Sequence, residues 1–380
     1  MANSLTNLIP VAYRALDIVS RELTGLIGAV NIDAAAETIA KGQTIYSPVA
    51  PANTQADIAV GMAVTQATDQ TIGSKSLAIT EYKSSSFNWS AEEEFGVNTG
   101  ARLENIMVDQ MAQAFRVHAN AIESFIFNVA KNGASRAIGA TAGTAPALAD
   151  FAGAKKILDD NGAPATGRSV VLDTTAGVAL RGISNLFKVN ESGDSTLLRN
   201  GVLGSLYGFD LRESAGVQPV TKGGMTGALI NAGNIAIGST VLTFDTGTVN
   251  TTGIVAGDII TIGSDTNKYV VEVGSTSTSG TITIAAPGLR VATVDNAAIT
   301  VFGTSTRNLA LSRNAITLAT RLPKFQMGDL ASDRYTITDP RTGLAFELTM
   351  WPGQRMVKYE VSIAYGASCI KPEHLAVIIG

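Results

Sequence analysis

In the stretch GARLENIMVDQMAQAFRVHANAIESFIFNVA, residues 100–130, apolar side chains and one histidine recur every three or four places: Leu103, Met107, Met111, Ala114, His118, Ile122, Phe125 and Val129. That period puts them on one face of a helix. At 1.5 Å per residue the helix would run about 45 Å. Residues 4–28 carry a second helical pattern through Leu5, Leu8, Ile9, Ala12, Leu16, Val19, Leu23 and Ile27, with Pro10 set to break or offset its start.

Between these two patterns the texture is extended. QTIYSPV, ADIAVGMAV and KSLAITEYKSSSFNWS, from 42 to about 90, are short runs divided by Pro, Gly and Ser, which predicts a long hairpin-like arm. Ser90 and Glu93 fit a capping box that opens a helix at SAEEE, and GVNTG then punctuates the chain. After the long helix, NGASRAIGATAGTAPALAD predicts a small-residue loop and 148–160 a helix stopped by DDNGAPATG. RSVVLDTT predicts a compact buried strand, AGVALRGI a short helix, and LRNGVLGSLYGFDLRES turns around short apolar runs. Strand and helix alternate here, so the region is expected to be a mixed α/β module.

Residues 226–303 differ again, with 15 Thr and only seven charged residues. STVLTFD, DIITIG, YVVEV, TITIA and AITVF are candidate strands spaced by Gly, Asn and Ser turns, the pattern of a small all-β barrel or sandwich. The flanks QPVTKGG and GTSTRN suggest the entry and exit of an inserted domain. NLALSRNAITLATRLP returns to a helical period that Pro323 ends. The last stretch reads as a β-meander: RYTIT, the turn DPRTG, LAFELTMW, the turn PGQ, and MVKYEVSIAYG. Val357, Tyr359, Val361 and Ile363 alternate with Lys358, Glu360 and Ser362, so one face is apolar. A sheet with one apolar face must be covered, and the long helix is the expected lid.

Composition bears on what such a chain does. Of 380 residues 45% are hydrophobic and only 16% charged, against about 25% charged in ordinary soluble proteins. So much neutral surface points to burial against neighbouring copies, hence an assembly. A net charge of −4 and a pI near 5.4 argue against a dedicated nucleic-acid binder. The amino terminus shows neither a signal peptide nor a membrane span, so a cytosolic protein without a membrane partner is expected.

Residues able to do chemistry are scarce. His118 on the apolar helix face reads as a core or interface histidine, and His374 in KPEHLAV as a cap or surface residue. The two make no metal pair at helical or hairpin spacing. Cys369, the one cysteine, has no His or Asp beside it and reads as a buried structural thiol. Glu92, Glu93 and Glu94, and Asp159 with Asp160, read as helix-start charge and a solvated turn. The glycine patches 201–208 and 223–227 lack the ending of a phosphate loop. Arg102, Arg116, Lys131, Arg136, Arg307 and Arg313 read as salt-bridge partners with at most weak, sequence-blind attraction to a polyanion. The expectation is no catalytic, cofactor-binding or metal-ligating set, no cofactor, and no enzyme.

The order of modules, with NLALSRNAI, GVLGSLYGFDLRES and the closing AYGASCIKPEHLAVIIG, resembles the major capsid proteins of tailed bacteriophages. Their fold is the HK-ninety-seven type, and the chain looks most similar to the short-tailed Salmonella-phage coat proteins with an inserted β-barrel domain. Tyr365, Gly366, Lys371, Pro372 and Glu373 match that family's closing run. The resemblance implies an α+β fold divided as N-terminal arm 1–41, extended hairpin loop 42–98, and spine helix 99–133 of the peripheral domain. It continues with the axial domain 134–225, the inserted β-barrel 226–303, the axial return 304–333, and the peripheral β-meander with C-terminus 334–380. It implies self-association as pentamers and hexamers in an icosahedral shell, scaffolding and portal proteins as assembly partners, and non-specific contact with packaged double-stranded DNA. It also implies a place in the virion capsid, assembled in host cytoplasm. A host nanocompartment shell of the same fold is the competing reading. A hydrolase or sugar-binding protein would need a clustered acid pair and aromatic platform, and a tail or fibre protein would lack the spine helix.

Overall fold

The computed structural model describes residues 9–18, 24–49, 55, 72–97, 102–139, 141–183, 203–326 and 328–380. The first eight residues of the arm, most of the hairpin reach (50–71), the GVNTG punctuation from 98 to 101 and the start of LRNGVLG lie outside them. Helix α1 (Ile9–Ile18) and the single turn α2 (Leu26–Ala29) precede strand β1 (Asn31–Ile39). Strands β2 (Thr44–Val49), β3 (Gly73–Ala78) and β4 (Glu81–Ser90) lead to α3 (Ala91–Val97) and the long α4 (Arg102–Gly133). Then follow β5 (Arg136–Ile138), α5 (Leu148–Asp160), β6 (Arg168–Leu172), α6 (Thr174–Arg181), β7 (Ser205–Leu206), β8 (Phe209–Glu213) and β9 (Pro219–Val220).

The Thr-rich span holds β10 (Met225–Thr226), β11 (Leu229–Ile230), β12 (Val241–Asp245), β13 (Thr248–Val249), β14 (Ile259–Ile262), β15 (Lys268–Val273), β16 (Gly280–Ile284) and β17 (Ile299–Val301). The chain closes with β18 (Ser305–Ser312), β19 (Ile316–Pro323), β20 (Asp333–Thr338), β21 (Ala345–Gly353), β22 (Met356–Cys369) and β23 (Leu375–Ile379).

Two large sheets organise these elements. The first has six strands, in the order β1-β19-β22-β21-β20 with β4 also on β22. The second has thirteen and runs from β11 through β12, β16, β15, β5, β23, β18, β6 and β8 to β7, with β14, β17 and β9 branching from it. Helix α4 covers both. Its Met111, Phe115, Ile122 and Ile126 share one core with Phe346, Leu348, Val361 and Ile363 of the first sheet and with Leu309, Leu311 and Val377 of the second. The expected lid over an alternating sheet is therefore present, but its buried stripe is wider than the sequence period suggests. Val108, Ala112, Phe115, Ala119 and Ile126 are buried as well, because the helix is flanked by two sheets and by α1, whose Ala12, Ala15 and Leu16 are buried in the same core.

Several expectations change. Residues 307–323 form no helix: they are β18 and β19, joined by a single 3-10 turn at Arg313–Ala315. Both strands are buried along nearly their whole length, so apolar residues fall on both faces and the run carries no strand alternation. The C-terminal part of the arm is not free, since β1 lies parallel to β19 from Asn31↔Thr317 to Ile39↔Pro323. Within the expected hairpin 42–98, among the described residues, β2 pairs with β3, while β4 joins β22 over ten residues, from Met356↔Ser90 to Tyr365↔Glu81. The terminal run leaves the meander: β23 is inserted between β5 and β18 of the second sheet.

The five strands expected within 226–303 are all present, as β12, β14, β15, β16 and β17, and they enclose a core of their own around Phe244, Ile260, Tyr269 and Ile282. This unit is not tethered by its flanks alone. Strand β15 pairs with β5 at Lys268↔Ala137 and Tyr269↔Arg136, which makes it continuous with the α/β sheet.

The chain crosses between the two large sheets at Arg313–Ala315 and again at residues 370–374. The crossings are bonded together, with Ile370 and Lys371 donating their N–H groups to the Ala315 carbonyl at 2.8 and 3.1 Å.

Candidate assembly surfaces

The residues with chemical potential are absorbed by the fold. His118 is buried on α4, and its Nε2 donates to the Val361 carbonyl at 3.0 Å, pinning the helix to β22. Burial holds its imidazole below the ordinary value, with the carbonyl opposing. His374, expected as a cap or surface residue, is buried in the second crossing. The Cys369 thiol contacts the Gly133 carbonyl at 3.5 Å and is pushed up to about 12 by burial, the reverse of an activated nucleophile.

Glu93 closes the expected capping box, accepting from the Ser90 N–H at 2.9 Å while Ser90 Oγ accepts from the Glu93 N–H at 3.2 Å. Asp159 pairs with Arg168 at 2.7 Å and Asp160 with Arg136 at 3.5 Å, so that turn is an ion-pair anchor for β6 and β5. Gly223 and Gly224 serve close backbone approach. A Cβ there would meet the Gly253 carbonyl at 2.2 Å and the Thr252 carbonyl at 2.8 Å.

Of the scattered cations, Arg136 and Arg307 are buried and so face no polyanion. Arg307 is held down to about 10 by burial, with the Asp258 charge opposing. Lys131 lies over the Phe127 ring at 5.8 Å, Arg313 is exposed, and the side chain of Arg102 lies outside the described residues. Among the described residues no group of three His, Cys, Asp or Glu side chains is placed to hold a metal. No helix among them is long and apolar enough to cross a membrane.

What the described residues present outward is surface for contact. Tyr46 and Ile72 on the β2–β3 hairpin are 67% and 69% exposed, Phe95 on α3 is 85% exposed and Leu330 is 81% exposed. Strand β4 pairs on one side only, with β22, and its other backbone edge has no strand partner among the described residues. Beside it runs a mainly apolar groove of about 310 Å³, bounded by Phe87 of β4 and by Ile106, Gln110, Ala114 and Val117 of α4. An extended strand laid there would gain backbone pairing and cover apolar side chains together.

A second groove, of about 350 Å³, opens on the opposite face of the first sheet, between Tyr82, Phe325, Trp351 and Glu360. It is organised by Arg334. That guanidinium pairs with Asp329 and, at 2.9 Å, with Glu347, while Phe325 and Trp351 flank it at 4.4 and 5.5 Å from their ring centroids. Sequence reasoning did not single out this cluster, because its members are spread over four strands and a loop. Arg334 and Trp351 sit beside the core-facing Tyr335 and Met350, which was the available signal, while Phe325 lies between Lys324 and Gln326 in a loop and gives none.

No family model matches the sequence, and no curated protein matches it. Solved structures do. The capsid structure of the cyanophage P-SCSP1u is similar over 95% of this chain and 89% of that one, with 11% identity and a TM-score of 0.52. A structure from Mycobacterium phage Che8 covers 89% of this chain and 85% of its own at 15% identity and a TM-score of 0.48. The virus-like particle from Pyrococcus furiosus covers 98% and 97% at 9% identity and a TM-score of 0.43. The chain carries the α+β capsid fold of the HK-ninety-seven type.

Proposed function

We propose that this chain, with its capsid fold, is the major capsid protein of a tailed bacteriophage, a shell tile that buries its flanks in copies of itself. The observation that carries the reading is the likeness to the cyanophage capsid along 95% of the chain. The use of His118 and Cys369 in core contacts, Glu93 in a cap, and Asp159 and Asp160 in ion pairs supports a structural role.

On this reading the hairpin base, the free edge of β4 and the groove along α4 meet neighbouring copies. The second sheet clusters around fivefold and sixfold centres as pentamers and hexamers. Head-to-tail contacts that close make rings, and rings joined through the first sheet make an icosahedral shell. Each contact can be as weak as micromolar, about −8 kcal/mol, while the lattice holds through their number. Scaffolding and portal proteins would guide assembly in the host cytoplasm, and double-stranded DNA would fill the finished virion. The net charge of −4 makes a motor, in place of affinity for DNA, the driving element of packaging.

Negative-stain microscopy of the purified chain, alone and co-expressed with its genomic neighbours, tests the proposal. Closed polyhedra or sheets of rings support it. Dispersed monomers at high concentration with the neighbours present would end it. Shells that enclose a co-expressed enzyme, from a locus without portal and terminase genes, would transfer the chain to the host nanocompartments.

A further inference from the structure

Among the charged groups of the core, Glu123 stands apart. It lies within α4, is 2% exposed, and has its two oxygens divided between two neighbouring backbone amides. Leu26 N–H donates to Oε2 and Ile27 N–H to Oε1, each at 3.0 Å. Ser214 Oγ donates to Oε2 at 2.9 Å and itself accepts from the Gly216 N–H at 3.1 Å. Three chain segments far apart in sequence therefore meet on one carboxylate. The Leu26–Ala29 turn leads into β1 of the first sheet, the Ser214 turn leaves β8 of the second sheet, and α4 spans both.

The surroundings leave little slack. A Cβ on Gly25 would meet the Glu213 carbonyl at 2.7 Å, one on Gly28 the Arg212 Nη1 at 2.4 Å, and one on Gly216 the Glu123 Cβ at 3.2 Å. A four-residue turn cannot hold its own shape, since one turn of helix is less than a stable nucleus. Its amides need an external acceptor, and here they have one.

We infer that Glu123 is a coupling pin, through which the seating of the N-terminal turn at 24–30 and the position of the Ser214 turn depend on each other. Beside the packing of Gly25 on Glu213 and of Gly28 on Arg212, Leu26 and Ser214 share the Oε2 acceptor, and that shared atom is the polar link between the two turns. The carboxylate is the one side chain of its size that accepts from both amides at once. A glutamine offers one acceptor, and its amide nitrogen would face a second donor. Leaving a buried N–H without an acceptor is costly, so the turn would detach to reach water.

Hydrogen exchange on the full-length chain tests the pin. In Glu123→Gln, amides of 24–30 should exchange at least tenfold faster while those of 107–117 in α4 keep their wild-type rate. Ser214→Ala removes no atom that Gly25 or Gly28 packs on, yet should speed exchange in 24–30 several-fold without altering 107–117, because Oε2 loses the donor that holds it in place. Unchanged exchange at 24–30 in Ser214→Ala overturns the inference, as does equal acceleration across 24–30 and α4 in either variant. If Glu123→Gln fails to fold, Ser214→Ala alone decides. The readout is independent of whether shells form, so it stands or falls separately from the proposed function.

Discussion

Removing the ring of Phe115 should expose how much of the fold rests on the contact between α4 and the first sheet. Phe115 is 1% exposed and Phe346 is 2% exposed, with ring centroids 5.2 Å apart and planes at 65°, an edge-to-face pair. Phe115→Ala deletes a fully buried ring and leaves a void between two sheets that cannot both collapse into it. The cost should be about 3–5 kcal/mol, a large share of the roughly 5–15 kcal/mol that holds a domain folded. Phe346→Leu keeps most of the volume and should cost far less. In the double variant the aromatic pair is lost only once, so the two effects should fall short of additivity by about 0.5–1.5 kcal/mol. Urea unfolding of the unassembled chain, followed by fluorescence, measures this directly: the two tryptophans, Trp89 and Trp351, both lie on the first sheet. A Phe115→Ala cost below about 1 kcal/mol, or strictly additive variants, would show that α4 does not cover the sheet through this pair.

Other expectations follow from single contacts. Gly366→Ala places a Cβ 2.1 Å from the Ala78 carbonyl. It should lower stability by about 1–3 kcal/mol and open the hairpin base to protease around 72–80, and unchanged protection there would refute the contact. Because burial holds the His118 imidazole low, the folded chain binds that proton less readily than the unfolded chain. Its contribution is full above the ordinary value and is lost as pH falls through the folded one. The unfolding free energy from urea titrations should therefore drop between pH 7 and 5, by at most about 1.4 kcal/mol per pH unit for this group, and His118→Gln should flatten the decline. An identical slope in both proteins would count against it. Ser90→Ala removes the hydroxyl cap of α3 and should cost about 1 kcal/mol locally, seen as faster amide exchange at 92–95 with the rest unchanged. Met111→Asp would bury an unpaired charge at a fully buried site and should abolish soluble protein, whereas a normal yield would mean a misplaced helix face.

What could be seen in the chain beforehand depended on whether the period of a segment is set by one neighbour or by two. The helical period of α4 was clean enough to give the element, although its burial by two sheets and α1 widened the stripe. The turns between the strands of the Thr-rich unit and the meander marked those strands. Strands β18 and β19 are covered on both sides, and their continuous apolar run carries no period to distinguish strand from helix. The membership of β1, β4 and β23 is a matter of pairing across hundreds of residues, which no local pattern encodes. Glu123 was not singled out in the sequence. An acid at the edge of the apolar stripe, between Ile122 and Ile126, is a residue that must find donors or stay charged in a dry place. Its partners, two backbone amides and a serine, have no sequence signature.

The bonded crossings at Ala315 and Ile370 carry a mechanical consequence. One strap between two plates lets them twist in any direction, while two adjoining straps fastened to each other leave a single swing about the line through both. The two fastened crossings place one hinge line between the large sheets, and α4, packed in one core with both, is the strut that sets the angle across it. Copies of such a tile would differ from site to site in a shell by one angle, so a single polypeptide could fill both flatter and more sharply curved positions without refolding.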